Sequence, residues 1–437
     1  MLSNKNNKRK SSRNNKKTKK RTNIKTKNRK YRKNTKSKTL IGGAGQYPQR
    51  SFQYNYVYTL GTKGLRTMWS MDKQFSHPGG VAVSAADNRI YVVDSSNHRV
   101  QVFDGATRNY IATLGTTGSR GYSNTQFSYP QGVAVSAIDN RIYVADSANH
   151  RVQVFDGDTL AYIATLGTTG SLGTSNTQFT HPIGVAVSAA DNRIYVADQG
   201  NRRVQVFDGA SRNYDWIATL GTTGSKGSSN TQFYAPRGVA VSAADNRIYV
   251  VDSNHCVQVF DGTTGNYELI ATLGTGSDGA SNTQFNYPQG VAVSSTDNLI
   301  YVADYDNHRV QIFDGATRNY IATLGTTGSK GASNTKFNKP VSIAVSEADN
   351  RIYVADSNNN RVQVFDKIEL PPQYNSVPSY TPGILNKGYK HNGTIYETKS
   401  PSPKYVQSLS ENTSARQDPT GNPNLVPYNV FNPDNYI

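Results

Sequence analysis

A phrase of about fifty residues occurs six times in this chain of 437 residues, and no other feature of the sequence restricts the fold as strongly. Each copy begins at a phenylalanine, and successive phenylalanines lie 52, 52, 54, 52 and 52 residues apart. These anchors are Phe75, Phe127, Phe179, Phe233, Phe285 and Phe337. A period of this size, with several short strands in each unit, is typical of a propeller or a solenoid.

The second copy shows the strand pattern. Its four apolar runs predict four antiparallel strands, at 132–136, 142–146, 152–156 and 162–167. Asp139 and Asn140 join the first two strands, because both residue types tolerate the positive φ of a tight turn. The runs are apolar at consecutive positions rather than at alternate ones, which predicts sheets buried on both faces. Radial stacking of blades gives every sheet two such neighbours.

The two ends of the array predict how it closes. The sixth copy has three strands and passes to Lys367 without a fourth, whereas Tyr56–Gly61 stands before the first anchor and matches the missing strand. An N-terminal strand that completes the last blade removes both open sheet edges. The sequence therefore predicts an all-β, six-bladed propeller with a 1+3 strand closure.

Charge and composition divide the chain into three segments. Residues 1–40 contain 18 Lys and Arg and no acid, so the rest of the chain has 48 − 18 = 30 basic residues against 30 acidic ones. We predict a disordered polybasic arm at 1–50, the propeller at 53–367 and an extended tail rich in Pro, Asn and Tyr at 368–437. Cys256 is the only cysteine, which excludes an internal disulfide. With no apolar leader in the N-terminal residues, we expect a soluble intracellular protein, in the nucleus or a virion among other places.

The repeated phrase resembles the NHL repeat family of β-propellers. Three elements carry the resemblance in the second copy: Pro130-x-Gly-Val-Ala-Val, Ile142-Tyr-Val-Ala-Asp and Asn149-His-Arg-Val-Gln-Val-Phe-Asp. It covers about 53 to 367 and implies the fold. NHL domains serve as protein-binding platforms, RNA readers, sensor domains and, in a few cases, lyases, so the resemblance does not select one function. The Lys- and Asn-rich arm, which ends in Gly42-Gly43, also resembles leaders of some giant DNA virus proteins.

Polar residues that recur in every copy are expected to hold the blades together. An aspartate ends each second strand, where its carboxylate can accept backbone N–H groups of the following turn. These residues are Asp94, Asp146, Asp198, Asp252, Asp304 and Asp356. Histidine occupies the next turn in four copies (His98, His150, His255 and His308), with Arg202 and Asn359 in the other two. Replacement of this kind argues against a catalytic or metal-binding role.

Residues that differ between copies are better candidates for a binding face of the propeller. They lie just before the first strands and in the inserts between blades: His77, Arg120, His181, Lys226, Arg237 and Lys330. His77 and His181 are expected at one level of the central channel. Zinc normally takes three or four protein ligands, and no third His or acid occurs at that level, so we predict no metal, no cofactor and no enzymatic activity. The second alternative function is that of a metal-dependent lyase whose site lies in the channel.

The arm carries the strongest functional signal. Its clusters suit phosphate backbones: Lys8, Arg9, Lys10, Lys16, Lys17, Lys19, Lys20 and Arg21. Binding to nucleic acid or another polyanion, a nuclear-import signal, an anionic membrane surface and a solubilising tail are all compatible with this composition. Pro371, Pro372 and Tyr374 form a PPxY motif, which WW domains bind. Gly42-Gly43-Ala44 matches sites at which maturation proteases of large DNA viruses cut.

The sequence thus predicts a non-catalytic propeller scaffold. Its loops bind an unidentified protein partner, and its arm binds nucleic acid or another polyanion. Reading of RNA by the propeller face itself is the first alternative; the neutral charge of that region counts against it.

Overall fold

Six antiparallel sheets of four strands each make up the propeller. They lie in the part of the chain that this computed structural model describes, which is residues 50–63, 73–227, 229 and 231–370, with the backbone of 389–391 and 394–396. The described helical residues form only five short 3-10 turns. The predicted all-β, six-bladed fold is confirmed. The predicted disorder of the arm and the extended form of the tail concern residues outside this range, apart from a short strand pair, Tyr389–His391 with Thr394–Tyr396.

Each blade runs outward from the channel through four strands. The first strands are Pro78–Val83, Pro130–Val135, Pro182–Val187, Pro236–Val241, Pro288–Val293 and Pro340–Ser346. The second strands are Arg89–Asp94, Ile142–Asp146, Arg193–Asp198, Arg247–Asp252, Leu299–Asp304 and Arg351–Asp356. The third strands are Arg99–Asp104, Arg151–Phe155, Arg203–Asp208, Cys256–Asp261, Arg309–Asp314 and Arg361–Leu370. The outer strands are Tyr110–Gly115, Tyr162–Gly167, Trp216–Leu220, Leu269–Leu273, Tyr320–Gly325 and, for the sixth blade, Ser51–Leu60.

Glycine in the first strands lets neighbouring blades approach closely around the channel. A Cβ atom at Gly132 would lie 2.3 Å from the carbonyl oxygen of Ile183 in the next blade, and one at Gly184 would lie 2.3 Å from that of Arg237. Side chains larger than hydrogen are therefore excluded there. In the sixth blade Ser342 takes this position, and its Oγ accepts the N–H of Val81 at 3.3 Å.

The hydrophobic core is divided into layers between adjacent blades. In the second strand of the first blade, Tyr91 and Val93 pack toward the second blade, while Ile90 and Val92 pack toward the strand Ser51–Leu60. All four side chains are fully buried. Burial of both sheet faces explains the continuous apolar runs of the sequence.

The N-terminal strand closes the ring as predicted. Ser51–Leu60 pairs antiparallel with Arg361–Leu370, and its continuation Gly61 packs against Phe75 in the way that Gly115 packs against Phe127. The pairing is longer than the predicted Tyr56–Gly61, because Ser51 already opposes Leu370. The added length is anchored by the buried ion pair of Lys367 Nζ with Asp297, at 2.5 Å.

The strand directions give the propeller two different faces. The insert face carries the segments between blades, such as 168–178, and the 3-10 turns Ser95–Asn97, Ser147–Asn149, Gln199–Asn201, Tyr305–Asn307 and Ser357–Asn359. The turn face, at the opposite end of the strands, carries the Asp-Asn turns such as 139–140 and the second hairpin turns such as 156–161. No helix in the described segments is long and apolar enough to span a membrane.

Candidate functional site on the insert face

A cavity of about 420 Å³ occupies the insert-face end of the channel. Its wall comes from the start of the first strands and from the 3-10 turns, and it includes His77, Tyr129, Arg237, Tyr287 and Gln289. His181 does not line this cavity, although the sequence placed it level with His77. Its ring packs edge to face on His150, with ring centroids 4.6 Å apart.

The two histidines thus belong to different environments, and no group of three or more His, Cys, Asp or Glu able to hold a metal occurs among the residues that the structure places.

The histidines of the turns act as joints between blades. His98, His150 and His308 follow the 3-10 turns in the left-handed conformation, with φ of 57°, 57° and 56°. Their Nδ1 atoms accept the backbone N–H of Tyr129, His181 and Lys339 in the next blade, each at 3.2 Å. Burial lowers the pKa of all three imidazoles. An Nδ1 that accepts a hydrogen bond carries no proton, so the joint requires the neutral ring.

Two blades make this joint without histidine. Arg202 of the third blade donates from Nη1 to the carbonyl oxygen of Tyr234 at 2.6 Å. In the sixth blade the equivalent residue is Asn360, with φ of 54°, rather than the Asn359 that the sequence pattern indicated. Asn359 instead donates to Asp356 and to the carbonyl oxygen of Gly331, both at 2.7 Å. The sequence assignment was one residue out of register because the turn contains three consecutive asparagines.

The aspartates that end the second strands are structural, but their main partners differ from those expected. Asp146 accepts the backbone N–H of Ser128 at 2.7 Å, before the first strand, rather than N–H groups of the following turn. Its other oxygen accepts from Asn149 Nδ2 and Arg151 Nε, both at 2.8 Å. Burial raises the pKa of the Asp146 carboxyl, although the hydrogen bonds from these donors act to lower it. The pairing with a guanidinium compensates a charge that would otherwise be buried alone.

The arginine of this pair also clamps the preceding insert. Arg151 donates to the carbonyl oxygens of Tyr122, Ser123 and Gln126 at 2.9, 2.8 and 2.9 Å. Arg203, Arg309 and Arg361 make the same three contacts in their own blades. The four inserts that these arginines clamp are therefore loops of defined shape, each held by a buried cation. This role could not be predicted from the sequence, which shows only that Arg follows the turn.

The fourth blade lacks the clamp. Its turn is one residue shorter and Cys256 replaces the arginine. Asp252 has no guanidinium partner among the described residues and accepts the backbone N–H groups of Tyr234 and Ala235 at 2.9 and 2.7 Å. Burial raises the pKa of the Cys256 thiol to about 12, so it is an inert packing residue at neutral pH.

The predicted cations of the inserts are exposed and spread around the insert face. Arg120, Lys226 and Lys330 occupy equivalent positions in three inserts, where Leu172 and Asp278 stand in two others. The Nζ atom of Lys226 lies 3.8 Å from the ring centroid of Tyr234. Exposed tyrosines stand between these cations: Tyr122, Tyr129, Tyr234 and Tyr287 expose 67%, 45%, 40% and 46% of their surface.

The turn face has the opposite character. Two rings of aspartates occupy its turns: Asp87, Asp139, Asp191, Asp245, Asp297 and Asp349 in one, and Asp104, Asp156, Asp208, Asp261, Asp314 and Asp366 in the other. Hydrogen bonds from Thr107, Thr159 and Thr263 lower the pKa of Asp104, Asp156 and Asp261, which keeps these carboxyls ionised. Each aspartate of the first ring is paired with a cation of the same face, as Asp87 is with Arg89 at 3.2 Å and Asp297 with Lys367 at 2.5 Å. In the second ring Asp366 pairs with Arg351, and the other five aspartates form no ion pair with a described cation, so the negative charge of the turn face comes mainly from this ring.

The remaining predicted sites lie outside the described residues. These are the cations of the arm from Lys8 to Arg21, the PPxY motif with Pro371, Pro372 and Tyr374, and the Gly42-Gly43 site. Ser51 and Leu370 lie opposite each other at the turn-face end of one strand pair. The arm precedes Ser51 and the tail follows Leu370, so the chain leads to both segments from the turn face.

Comparison with known proteins agrees with this architecture. The NHL repeat family matches residues 75–103, 127–155, 179–207, 233–260, 285–313 and 337–365. The chain is 26% identical over 321 residues to Protein SUPPRESSOR OF QUENCHING 1, chloroplastic, of Arabidopsis thaliana, covering 66% of this chain and 30% of that protein. It is 26% identical over 337 residues to human NHL repeat-containing protein 2, covering 66% of this chain and 46% of that protein. The chain thus matches less than half of the length of either relative.

A solved structure shares the fold. A structural genomics protein of unknown function from Bacteroides thetaiotaomicron aligns with a TM-score of 0.54 and 18% identity, over 73% of this chain and 77% of that one. Six family matches, one across the first three strands of each blade, together with the six-bladed closed ring, show that this chain belongs to the NHL repeat-containing six-bladed β-propeller family.

Proposed function

We propose that this protein is a non-catalytic recognition scaffold that binds a protein partner on its insert face and nucleic acid or another polyanion through its N-terminal arm. One observation carries the proposal: the insert face presents exposed tyrosines and cations, and the buried Arg151 and Arg361 hold the inserts that carry Arg120 and Lys330. Tyr and Arg are enriched at the energetic centres of protein interfaces. Loops that keep their shape before binding lose less entropy when a partner docks.

The charge of the two faces indicates which kind of partner fits. The insert face has exposed Arg120, Lys226 and Lys330, and of its acids Asp306 is paired with Lys339 at 3.2 Å. On the turn face the aspartates of the first ring are ion-paired, and five aspartates of the second ring form no ion pair with a described cation. A partner with an acidic surface is attracted to the first face and repelled by the second, so electrostatics orients the encounter.

A partner-capture experiment tests this assignment. Triple replacement of Arg120, Lys226 and Lys330 by Gln should reduce partner recovery, whereas Arg212→Gln, an exposed cation of the turn face, should leave it unchanged. Equal loss with both variants would show that charge alone, without a specific face, accounts for binding. Repeating the capture after nuclease treatment separates a protein partner from bridging by nucleic acid.

Single-stranded RNA is the second candidate for the insert face, and the alternation of cations with exposed tyrosines favours it. Bases stack on aromatic rings while cations contact the backbone, and the Lys226–Tyr234 pair offers both groups in one place. RNA binding by residues 46–437 that is lost in the triple Gln variant would establish this function. Binding that disappears when residues 1–45 are removed would assign it to the arm instead.

For the arm, the proposal rests on its 18 cations without an acid in residues 1–40. Four further hypotheses rest on sequence alone. They are nuclear import, a location in the virion, a leader like those of viral proteins, and WW-domain binding at Pro371, Pro372 and Tyr374. Removing residues 1–45 should abolish salt-dependent nucleic-acid binding and leave thermal unfolding of the propeller unchanged. Full binding by the shortened chain would refute the role of the arm.

A further inference from the structure

We infer that the central cavity of the insert face is a binding site for a small organic oxyanion, a carboxylate or a phosphate ester, held by the guanidinium of Arg237. This inference goes beyond the recognition of macromolecules proposed above. The cavity volume of about 420 Å³ lies within the range of small-molecule pockets, roughly 300–1,000 Å³.

Arg237 is the only cation at its position in the ring of blades. The other five blades have Gly79, Gln131, Ile183, Gln289 and Val341 there. Its Nε donates to Ser253 Oγ at 2.8 Å and its Nη1 donates to Gln289 Oε1 at 2.9 Å. Two neutral acceptors therefore orient the guanidinium, and Nη2 makes no hydrogen bond to any residue that the structure describes.

Unlike the clamp arginines, Arg237 forms no ion pair with a described carboxylate. The carboxylate that lines the same cavity, Asp306, is bound by Lys339 at 3.2 Å. Burial lowers the pKa of Arg237, and the charge of Asp252 is among the smaller effects that raise it. A half-buried charge without a partner is costly, and an anion in the cavity would offset that cost.

The rest of the wall suits an organic anion better than a bare ion. Tyr129, Tyr287 and Tyr305 offer ring surface and phenol groups, and His77 and Gln131 add polar atoms that can donate or accept. Arginine binds carboxylate and phosphate oxygens through its planar set of N–H donors. The ligand is thus expected to place one anionic group at Arg237 and a flat or polar body against the tyrosines.

The test uses the full chain and measures thermal stability and calorimetric binding at constant ionic strength. The probes are 4-hydroxybenzoate for the carboxylate, phenyl phosphate for the phosphate ester, and 4-hydroxybenzyl alcohol as the neutral control. We expect at least one of the two anions to raise the melting temperature in a saturable way and the alcohol to have no effect. Which anion binds more tightly identifies the class of ligand.

Three variants separate the cavity from other cations of the chain. Arg237→Gln places the residue of two other blades at this position and should weaken anion binding at least tenfold. Gln289→Glu supplies an internal carboxylate at the same guanidinium and should also remove the response, while raising the melting temperature without ligand. Arg120→Gln, an exposed cation of the same face, should respond like the parent.

The arm is identical in all these proteins, so anion binding by the arm cancels in the comparison. A response that persists in both Arg237→Gln and Gln289→Glu, or no response of the parent to either anion, would overturn the inference. If Arg237→Gln does not fold, Gln289→Glu still decides the question, because it retains the guanidinium. Partner capture by these variants is measured separately, so failure of this site leaves the proposed scaffold function open.

Discussion

The backbone N–H of His77, at the start of the first blade, donates to Oδ1 of Asn360, at the end of the sixth, across 2.9 Å. The bond joins residues 283 positions apart in the chain. It repeats the joint that His98 makes with Tyr129 between the first and second blades. The seam where the ring closes is therefore built like the other joints and gains, in addition, the pairing of the N-terminal strand.

That closure predicts a large effect of removing the N-terminal strand. A chain that begins at residue 62 loses Ser51–Leu60, which leaves the outer edge of the third strand of blade six unpaired and exposes Val362 and Val364. We expect its melting temperature to fall by more than about 10 °C, or its cooperative transition to disappear. A chain that begins at residue 46 is the control and should unfold like the parent. Equal melting temperatures of the two shortened chains would refute the closure.

The buried clamp predicts unequal effects at equivalent positions of different blades. Arg203→Ala removes the partner of the fully buried Asp198, and breaking a buried pair on one side costs about 3–5 kcal/mol. Cys256→Ala, at the same position of blade four, breaks no ion pair and should cost only about 1 kcal/mol. Urea unfolding of both variants checks the difference. Similar free energies of unfolding would mean that the Arg–Asp pair contributes nothing beyond packing.

The repeated residues explain why so much of the fold could be predicted and why the site could not. The period, the turn residues and the split sixth copy can be recognised in the sequence itself. Each of them predicted strands or turns that the structure contains. Arg237 was recognisable as a cation that breaks the symmetry, but its contacts with Ser253 and Gln289 join two blades. His77 and His181 looked equivalent in the sequence, yet the cavity takes in His77 while His181 packs on His150. Contacts between blades depend on side-chain rotamers, which a repeat pattern in the sequence does not predict.

The histidine joints predict that stability falls in mild acid. Burial lowers the folded-state pKa of His98, His150 and His308. As the pH falls, these histidines are therefore protonated first in the unfolded chain, where they have their ordinary pKa of about 6.5. The stabilising contribution is therefore fully present above that pH and is lost as the pH falls through the folded-state values. Melting temperatures between pH 7.5 and 5 measure this loss.

Asparagine at these three positions provides the matched control, because Asn360 makes the same joint with an oxygen that does not titrate. The triple variant His98→Asn, His150→Asn, His308→Asn should keep most of the stability at pH 7.5 and lose less of it toward pH 5. An unchanged pH profile would show that other groups cause the acid sensitivity.

The inner glycines predict a site that tolerates no side chain. Gly132→Ala would bring a Cβ atom to 2.3 Å from the carbonyl oxygen of Ile183, so the first strands of two blades must move apart. Such overpacking typically costs about 1–3 kcal/mol. Gly118→Ala is the control: it has open space around it and pays only for its φ of 70°, about 1 kcal/mol. Denaturant unfolding that ranks Gly118→Ala as the more damaging change would contradict the close approach of the inner strands.

The exposed cations of the insert face predict a measurable salt dependence if RNA binds there. Each contact with a single-stranded phosphate lowers the slope of log K against log salt by about 0.7. In residues 46–437, replacing Arg120, Lys226 and Lys330 by Gln should therefore make the slope shallower by roughly 2. Arg108, Arg212 and Arg318 lie in turns of the opposite face, and their triple Gln variant removes the same charge from the chain. Because net charge changes equally, a slope that becomes shallower in both variants would indicate non-specific attraction, whereas a shallower slope in the first variant alone places the nucleic acid on the insert face.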